Sequence, residues 1–291
     1  MLRGKWSNRL TEQTIDRIKI RSVSDGSAWG WGPTRTKLVC SVTLVALLVA
    51  GPSRIHAQRG RGALAAPPPT ARAAAPIDLT GYWESIVNED WRWRMVTPPK
   101  GDYQSVTLND EARKVADAWD PDKDTAAGLQ CKSYGAPAVM RVPGRVHITW
   151  QDEHTLKIET EAGTQTRLLY FAPAQPPASA ADTWQGQSVA RWEVPQVPGG
   201  RPAGDRKGTS LKVVTTRIRP GYLRKNGVPY SANAVVTEYV NVLAEADGGP
   251  WLIVSNFVED PQYLTEPFAT STHFRKLRDG SAWKPVPCTA K

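Results

Sequence analysis

The chain has 291 residues, 37 of them Lys or Arg and 28 of them Asp or Glu, so its formal net charge is +9. Nine basic and three acidic residues lie in 1–57 and three more arginines lie in 58–76, which leaves 25 of each sign in residues 77–291. A balanced main region argues against nucleic acid as a partner, and its composition excludes a disordered, collagen-like or coiled-coil chain.

The longest apolar run, residues 38–50, has the length of a signal sequence. A membrane-spanning helix needs about 20 residues, so this run is too short to be one. Arg35 and Lys37 precede it, and Ala57 follows shortly after a Gly-Pro break, which is the pattern of a secretory signal peptide. We therefore predict that residues 1–57 are an N-terminal extension plus signal peptide, cleaved after Ala57. The mature protein is then periplasmic or secreted, without a transmembrane span; a buried core segment is the alternative.

Residues 58–76 are rich in Ala, Pro and Arg and predict a linker, because they cannot bury enough apolar surface to order themselves. Cys40 would leave with the signal peptide, so an exported chain keeps Cys131 and Cys288. Two cysteines in an oxidising compartment predict one disulfide. Two buried free thiols are the alternative.

From residue 77 onward, short runs alternate apolar and polar residues and end at turn residues, which is typical of antiparallel strands. Trp91, Trp93 and Met95 alternate with two arginines and predict a strand with one apolar and one cationic face. Asn109 predicts the cap of a single short helix, about 109–119. The sequence thus predicts one all-β domain over 77–291, an antiparallel barrel or sandwich. Its other strands are predicted at 79–87, 145–150, 155–158, 164–171, 188–194, 209–218, 232–243, 251–258 and 270–277.

Leu79-Thr80-Gly81-Tyr82-Trp83 resembles the Gly-x-Trp opening strand of lipocalin-like barrels. That resemblance implies that Trp83 packs beneath a basic residue of the last strand, for which Arg275 is the candidate. Residues 131–135, 186–193 and 259–268 are similar to a large group of exported bacterial β-rich proteins with no established activity. The resemblance implies fold and export and leaves function open.

The candidate binding residues are aromatic and basic. If the barrel is hollow, Arg92 and Arg94 would line a polar cavity for an anionic or carbonyl-bearing ligand; if it is filled, the tryptophans beside them are core. The basic loop tip 223–227 is predicted to be solvated. The full set of ligand-binding candidates is Trp91, Arg92, Trp93, Arg94, Tyr134, His147 and Trp150.

Catalytic signals are weak. Glu89 or Asp90 with His147 is the candidate acid–base set, and no histidine spacing indicates a metal site, so no metal and no cofactor are predicted. The leading hypothesis is an exported barrel that binds a small, partly hydrophobic molecule. The alternatives are a barrel enzyme that uses that acid–base set and an envelope interaction module with a filled interior and no pocket.

Overall fold

Nine strands close into a barrel in the computed structural model, which describes residues 68–178, 181–193, 210–245 and 249–291. A separate hairpin pairs β7 (Gly221–Tyr222) with β8 (Pro229–Tyr230). The barrel strands are β1 (Gly81–Ile86), β2 (Arg145–Trp150), β3 (Thr155–Thr160), β4 (Thr166–Phe171), β5 (Gln187–Glu193), β6 (Ser210–Thr216), β9 (Val235–Glu245), β10 (Gly249–Glu259) and β11 (Phe268–Lys276).

The barrel follows the order β1-β11-β10-β9-β6-β5-β4-β3-β2 and closes by pairing β2 with β1. Eight of these pairings are antiparallel, and β4 with β5 is parallel. An odd number of strands cannot close with antiparallel pairs alone, because strand direction would have to reverse an odd number of times around the ring. The all-β barrel prediction is confirmed, with this parallel pair as the departure from a purely antiparallel sheet.

The longest helix of the described residues, α2 (Asp110–Asp117), is the predicted one. Asn109 caps it by accepting a hydrogen bond from the Ala112 amide at 2.9 Å, and two acidic residues occupy its first turn. The chain also forms α1 (Trp91–Arg94), α3 (Pro121–Ala126) and 3-10 helices at Lys132–Tyr134 and Val139–Arg141. The predicted strand over 91–96 is therefore wrong, because its first four residues form a single helical turn.

The barrel interior is filled with side chains. Leu156, Leu169, Leu252 and Phe274 are among its buried apolar residues, and they share one cluster with Trp83. The Trp83 indole donates to the Leu79 carbonyl at 2.9 Å. A buried polar pair lies beside this cluster. Both terminal nitrogens of Arg167 donate hydrogen bonds to the Glu238 carboxylate.

The cation above Trp83 is Lys276, whose ammonium lies 5.2 Å from the ring centroid. Arg275, the residue implied by the lipocalin resemblance, is exposed. The register explains the difference: Trp83 is the partner of Lys276, so these two share a face, whereas Arg275 is paired with Glu84.

A second buried cluster packs helix α2 and the β7–β8 hairpin against one end of β9, β10 and β11. It includes Ala112, Ala116, Leu223, Tyr230 and Val258. The cluster fixes the loop between β7 and β8 in place, and that loop borders the cavity described below. The predicted signal peptide, most of the predicted linker and the loop 195–208 lie outside the described residues.

Candidate functional site

A cavity of about 430 Å³ lies outside the barrel strands. Five chain segments supply its walls: the end of α1 with residues 95–97, the region of the two 3-10 helices, Ala162 after β3, the β7–β8 loop and the C-terminal residues 286–289. A volume of a few hundred Å³ is typical of small-molecule sites. The lining residues are Trp93, Arg94, Met95, Val96, Thr97, Ser133, Tyr134, Ala138, Arg141, Val142, Pro143, Ala162, Leu223, Arg224, Lys225, Val286, Pro287 and Thr289.

Three arginines in this wall are buried. Arg94 is 8%, Arg141 5% and Arg224 4% exposed. Each carries at least one buried guanidinium nitrogen with no hydrogen-bond partner among the described residues. Buried arginines are normally paired, so three of them with unused donors around one cavity make this wall a candidate site for an anion.

The first two arginines are partly neutralised. Arg94 pairs with Glu89, and its Nε donates to the Arg141 carbonyl at 2.9 Å. Arg141 pairs with Asp90 at 3.0 Å. Burial lowers the pKa of Arg94, and this effect outweighs the negative charges of Glu89 and Asp90, which raise the pKa against the smaller opposing effect of Arg141. These two arginines are therefore matched one to one by carboxylates.

Arg224 has no carboxylate partner among the described residues. Its Nη1 donates to the Gln104 carbonyl at 2.6 Å, and its guanidinium lies over the rings of Trp93 and Phe268. Burial, followed by repulsion from Arg141, lowers the pKa of Arg224 to about 10. The charged form of an arginine in this state would be stabilised more by an incoming anion than the charged forms of Arg94 and Arg141, which already have carboxylate partners.

Tyr134 and the C-terminal residues form the opposite wall. The disulfide between Cys131 and Cys288 joins the segment before Tyr134 to the C-terminal tail, which confirms the predicted bridge. The Tyr134 hydroxyl accepts from the Thr289 amide at 3.3 Å. Burial raises the pKa of Tyr134. Hydrogen bonds to Lys225 and Thr289, together with the positive charge of Lys225, outweigh burial, so the net shift of this pKa is downward.

Gly163 makes this wall possible. Its φ is +77°, and a Cβ at this position would lie 2.3 Å from the Tyr134 ring. Its carbonyl oxygen also lies 3.3 Å from the Cys288 sulfur. Only glycine combines that backbone conformation with so close a ring contact.

The ligand-binding candidates separate into two groups. Trp93, Arg94 and Tyr134 line the cavity. Trp91 is 64% exposed next to it, and Arg92 pairs with Asp102 at 2.8 Å on the surface. Neither of these two residues is in the lining.

His147 and Trp150 lie on the barrel itself. The His147 ring stacks on Tyr82 with centroids 4.0 Å apart, and its Nδ1 lies 3.3 Å from Glu159. Trp150 borders a shallower cavity of about 330 Å³ under residues 72–80. It packs against Phe171, with ring centroids 5.5 Å apart.

The candidate acid–base residues have other partners. Glu89 pairs with Arg94, Asp90 pairs with Arg141, and His147 contacts Glu159. The two carboxylates thus hold cavity arginines in place. Within the described part of the chain no group of three or more His, Cys, Asp or Glu side chains is arranged to hold a metal ion.

The sequence analysis did not identify Arg141 or Arg224 as ligand-binding candidates. The tip 223–227 is basic but not solvated, because Leu223, Arg224 and Asn226 are buried. The Asn226 side chain donates to the Pro99 and Asp102 carbonyls and anchors the tip. A leucine before the basic pair and a glycine after it were the available signals for a packed turn.

No protein-family model matches this sequence, and neither a curated protein nor a solved structure matches it. No helix in the described part of the chain combines the length and the apolarity of a membrane-spanning segment.

Proposed function

We propose that this barrel protein binds a small molecule that carries an acidic group and an apolar part, in the cavity bounded by Arg94, Arg141 and Arg224. The observation that carries the proposal is the state of Arg224, which is buried, without a carboxylate partner, and has two unused nitrogens in the described structure. A carboxylate, sulfonate or phosphate in the cavity supplies the negative charge that this guanidinium lacks.

The chemistry of the wall favours one acidic group. Arg94 and Arg141 already contact Glu89 and Asp90, so a single anion leaves each of the three guanidinium groups with an acidic neighbour. Arginine suits this task because its planar donors match the oxygens of a carboxylate or phosphate. The remaining lining contains Val142, Pro143 and Pro287, which favours an apolar body on the ligand.

Export belongs to the same proposal. The apolar run 38–50 supports it, and so does the Cys131–Cys288 bridge, because structural disulfides persist mainly in oxidising compartments. The filled interior agrees with the interaction-module alternative, but that alternative also requires the absence of a pocket. The acid–base alternative requires Glu89 or Asp90 to act with His147, whereas these two carboxylates pair with Arg94 and Arg141.

The test uses benzoate and its neutral counterpart benzyl alcohol. We expect calorimetry to show saturable benzoate binding to the wild type, weaker by about tenfold or more in Arg224→Gln, because a hydrogen bond to a charged group contributes roughly 1.5–3 kcal/mol. Benzyl alcohol is expected to bind poorly to both. Arg191→Gln is the matched control, because Arg191 is exposed and pairs only with Glu193 among the described residues. Equal benzoate affinity in wild type and Arg224→Gln contradicts the proposal.

A further inference from the structure

The exposed apolar side chains of the described residues are concentrated around this cavity. Seven large apolar residues are exposed, and four of them lie at its edge. Met95, Val96 and Val286 belong to the lining itself, and Trp91 lies one helical turn before Met95. We call these four residues the apolar rim. Three others, Val189, Leu243 and Phe257, lie on barrel strands.

The short helix α1 places a buried cation on one side and exposed apolar side chains on the other. Its Arg94 is directed into the wall, with a side chain only 1% exposed, whereas Trp91 and Met95 remain 64% and 58% exposed. Residues four apart in a helical turn lie on one side, so Trp91 and Met95 form a continuous surface. The cation and the rim are therefore neighbours in sequence and in space.

We infer, on the basis of the proposed anion site, that the ligand is a single-chain amphiphile: a carboxylate head at Arg224 with an alkyl chain over the apolar rim. An inorganic anion fits the arginines but leaves the rim in water. An alkyl acid satisfies both parts, because burial of apolar surface on Met95, Val96 and Val286 adds to the charge contact.

A membrane surface fits less well than a free amphiphile. Binding to anionic bilayers uses basic side chains that reach the headgroups from the protein surface. Here the three arginines are 8% exposed or less and belong to the wall of a cavity, so they are not presented on an outer surface that a bilayer headgroup can contact. A monomeric amphiphile can enter the cavity with its head first.

The experiment is a chain-length series of acetate, hexanoate and decanoate, with decanol as the neutral control, all below their aggregation concentrations. Each buried CH₂ is expected to raise affinity roughly two- to fourfold, so decanoate should bind about a hundredfold or more tighter than acetate. We expect the double variant Met95→Gln/Val96→Thr to lose about tenfold in decanoate affinity and none in acetate affinity. Val189→Thr is the matched control, because Val189 is also exposed and lies on β5, outside the cavity lining.

Three outcomes overturn this inference. Equal affinity along the series, or an unchanged decanoate affinity in the rim variant, shows that the rim takes no part. Binding to vesicles of phosphatidylglycerol without binding of monomeric decanoate shows a membrane surface instead. In each case a continued loss of binding in Arg224→Gln leaves the anion site standing. If Arg224→Gln binds every probe like the wild type, the proposed function itself fails. The rim substitutions are at exposed positions, so circular dichroism is expected to show an unchanged fold.

Discussion

The Arg224 guanidinium carbon lies 4.9 Å from the centroid of the Trp93 ring. Cation–π contact is a weak substitute for a carboxylate, but with the Phe268 ring and the Gln104 carbonyl it helps to hold a buried arginine that has no carboxylate partner among the described residues. The Trp93 indole is itself fixed by donating to Asp102 at 3.3 Å, the carboxylate that pairs with Arg92. The aromatic ring therefore holds the arginine in its orientation at the cavity wall.

Loss of that ring should cost stability before any ligand is present. We expect Trp93→Leu to lower the free energy of unfolding by about 1–2 kcal/mol, and Trp93→Phe by less, since phenylalanine keeps a ring face for Arg224. Urea unfolding measures both. Trp91→Leu is the control, because that residue is 64% exposed and surface changes are usually within about 0.5 kcal/mol. Equal losses in Trp93→Leu and Trp91→Leu would show that the stacking contributes nothing.

The disulfide should support both stability and the cavity. Cys131 and Cys288 are 157 residues apart, and closing a loop of that size contributes roughly 4–5 kcal/mol in the chain-entropy model. We expect the double variant Cys131→Ser/Cys288→Ser to unfold at lower urea concentration. Its benzoate affinity should fall as well, because the bridge holds residues 286–289 against Tyr134.

A reducing agent separates the two causes. Wild type treated with dithiothreitol should unfold like the double serine variant, and dithiothreitol should not change that variant further. Identical urea midpoints for oxidised wild type and the double variant would show that the bridge adds no stability.

Much of the fold follows from the alternation of apolar and polar residues. In β2, Val146 and Ile148 are buried while His147 between them is only half-buried. A strand with one face toward the core shows this alternation in its sequence. The segment Trp91–Arg94 has the same alternation but is one helical turn, and four residues are too few to distinguish the two periods. Strand prediction therefore succeeds where a whole face is buried.

The candidate site was only partly predictable, and for a different reason. Trp93, Arg94 and Tyr134 drew attention by residue type, whereas Arg141 and Arg224 stand among residues of ordinary loop composition. Their meeting depends on how the barrel closes and on where the β7–β8 hairpin packs. Those are long-range contacts, which residue type and local spacing do not encode.

The buried pair Arg167–Glu238 should be sensitive to loss of either partner. Its two hydrogen bonds are 3.0 and 2.5 Å long, and both side chains are almost fully buried in the barrel. Glu238→Gln is expected to cost about 3–5 kcal/mol, because it leaves an uncompensated buried charge. The double variant Arg167→Met/Glu238→Leu should recover most of that loss.

Urea unfolding of the wild type, the single variant and the double variant checks this cycle. A single variant as stable as the wild type would mean that water or Thr215 satisfies the arginine. The Arg145–Glu84 pair is the matched control: it is half-buried, and its disruption by Glu84→Gln should cost less.

Tyr230 should govern part of the response to alkali. Its side chain is fully buried, its hydroxyl has no hydrogen-bond partner among the described residues, and burial raises its pKa. Burial and a 2.7 Å hydrogen bond to Asp117 also raise the pKa of Tyr103, to about 12. A phenol with a raised pKa in the folded state stabilises that state fully below the unfolded pKa near 10, and the contribution is lost as pH rises from 10 through the folded pKa.

Tyr230→Phe is therefore expected to match or exceed the wild type at pH 7.5, because it removes a buried hydroxyl that lacks a partner. Between about pH 10 and 11.5 the wild type should lose stability faster than this variant, since phenylalanine has no proton to release. Tyr103→Phe should instead cost about 1 kcal/mol at pH 7.5 through the lost bond to Asp117. Urea midpoints at pH 7.5, 9.5 and 11 measure all three proteins. If wild type and Tyr230→Phe weaken in parallel across that range, Tyr230 does not titrate in the unfolding equilibrium.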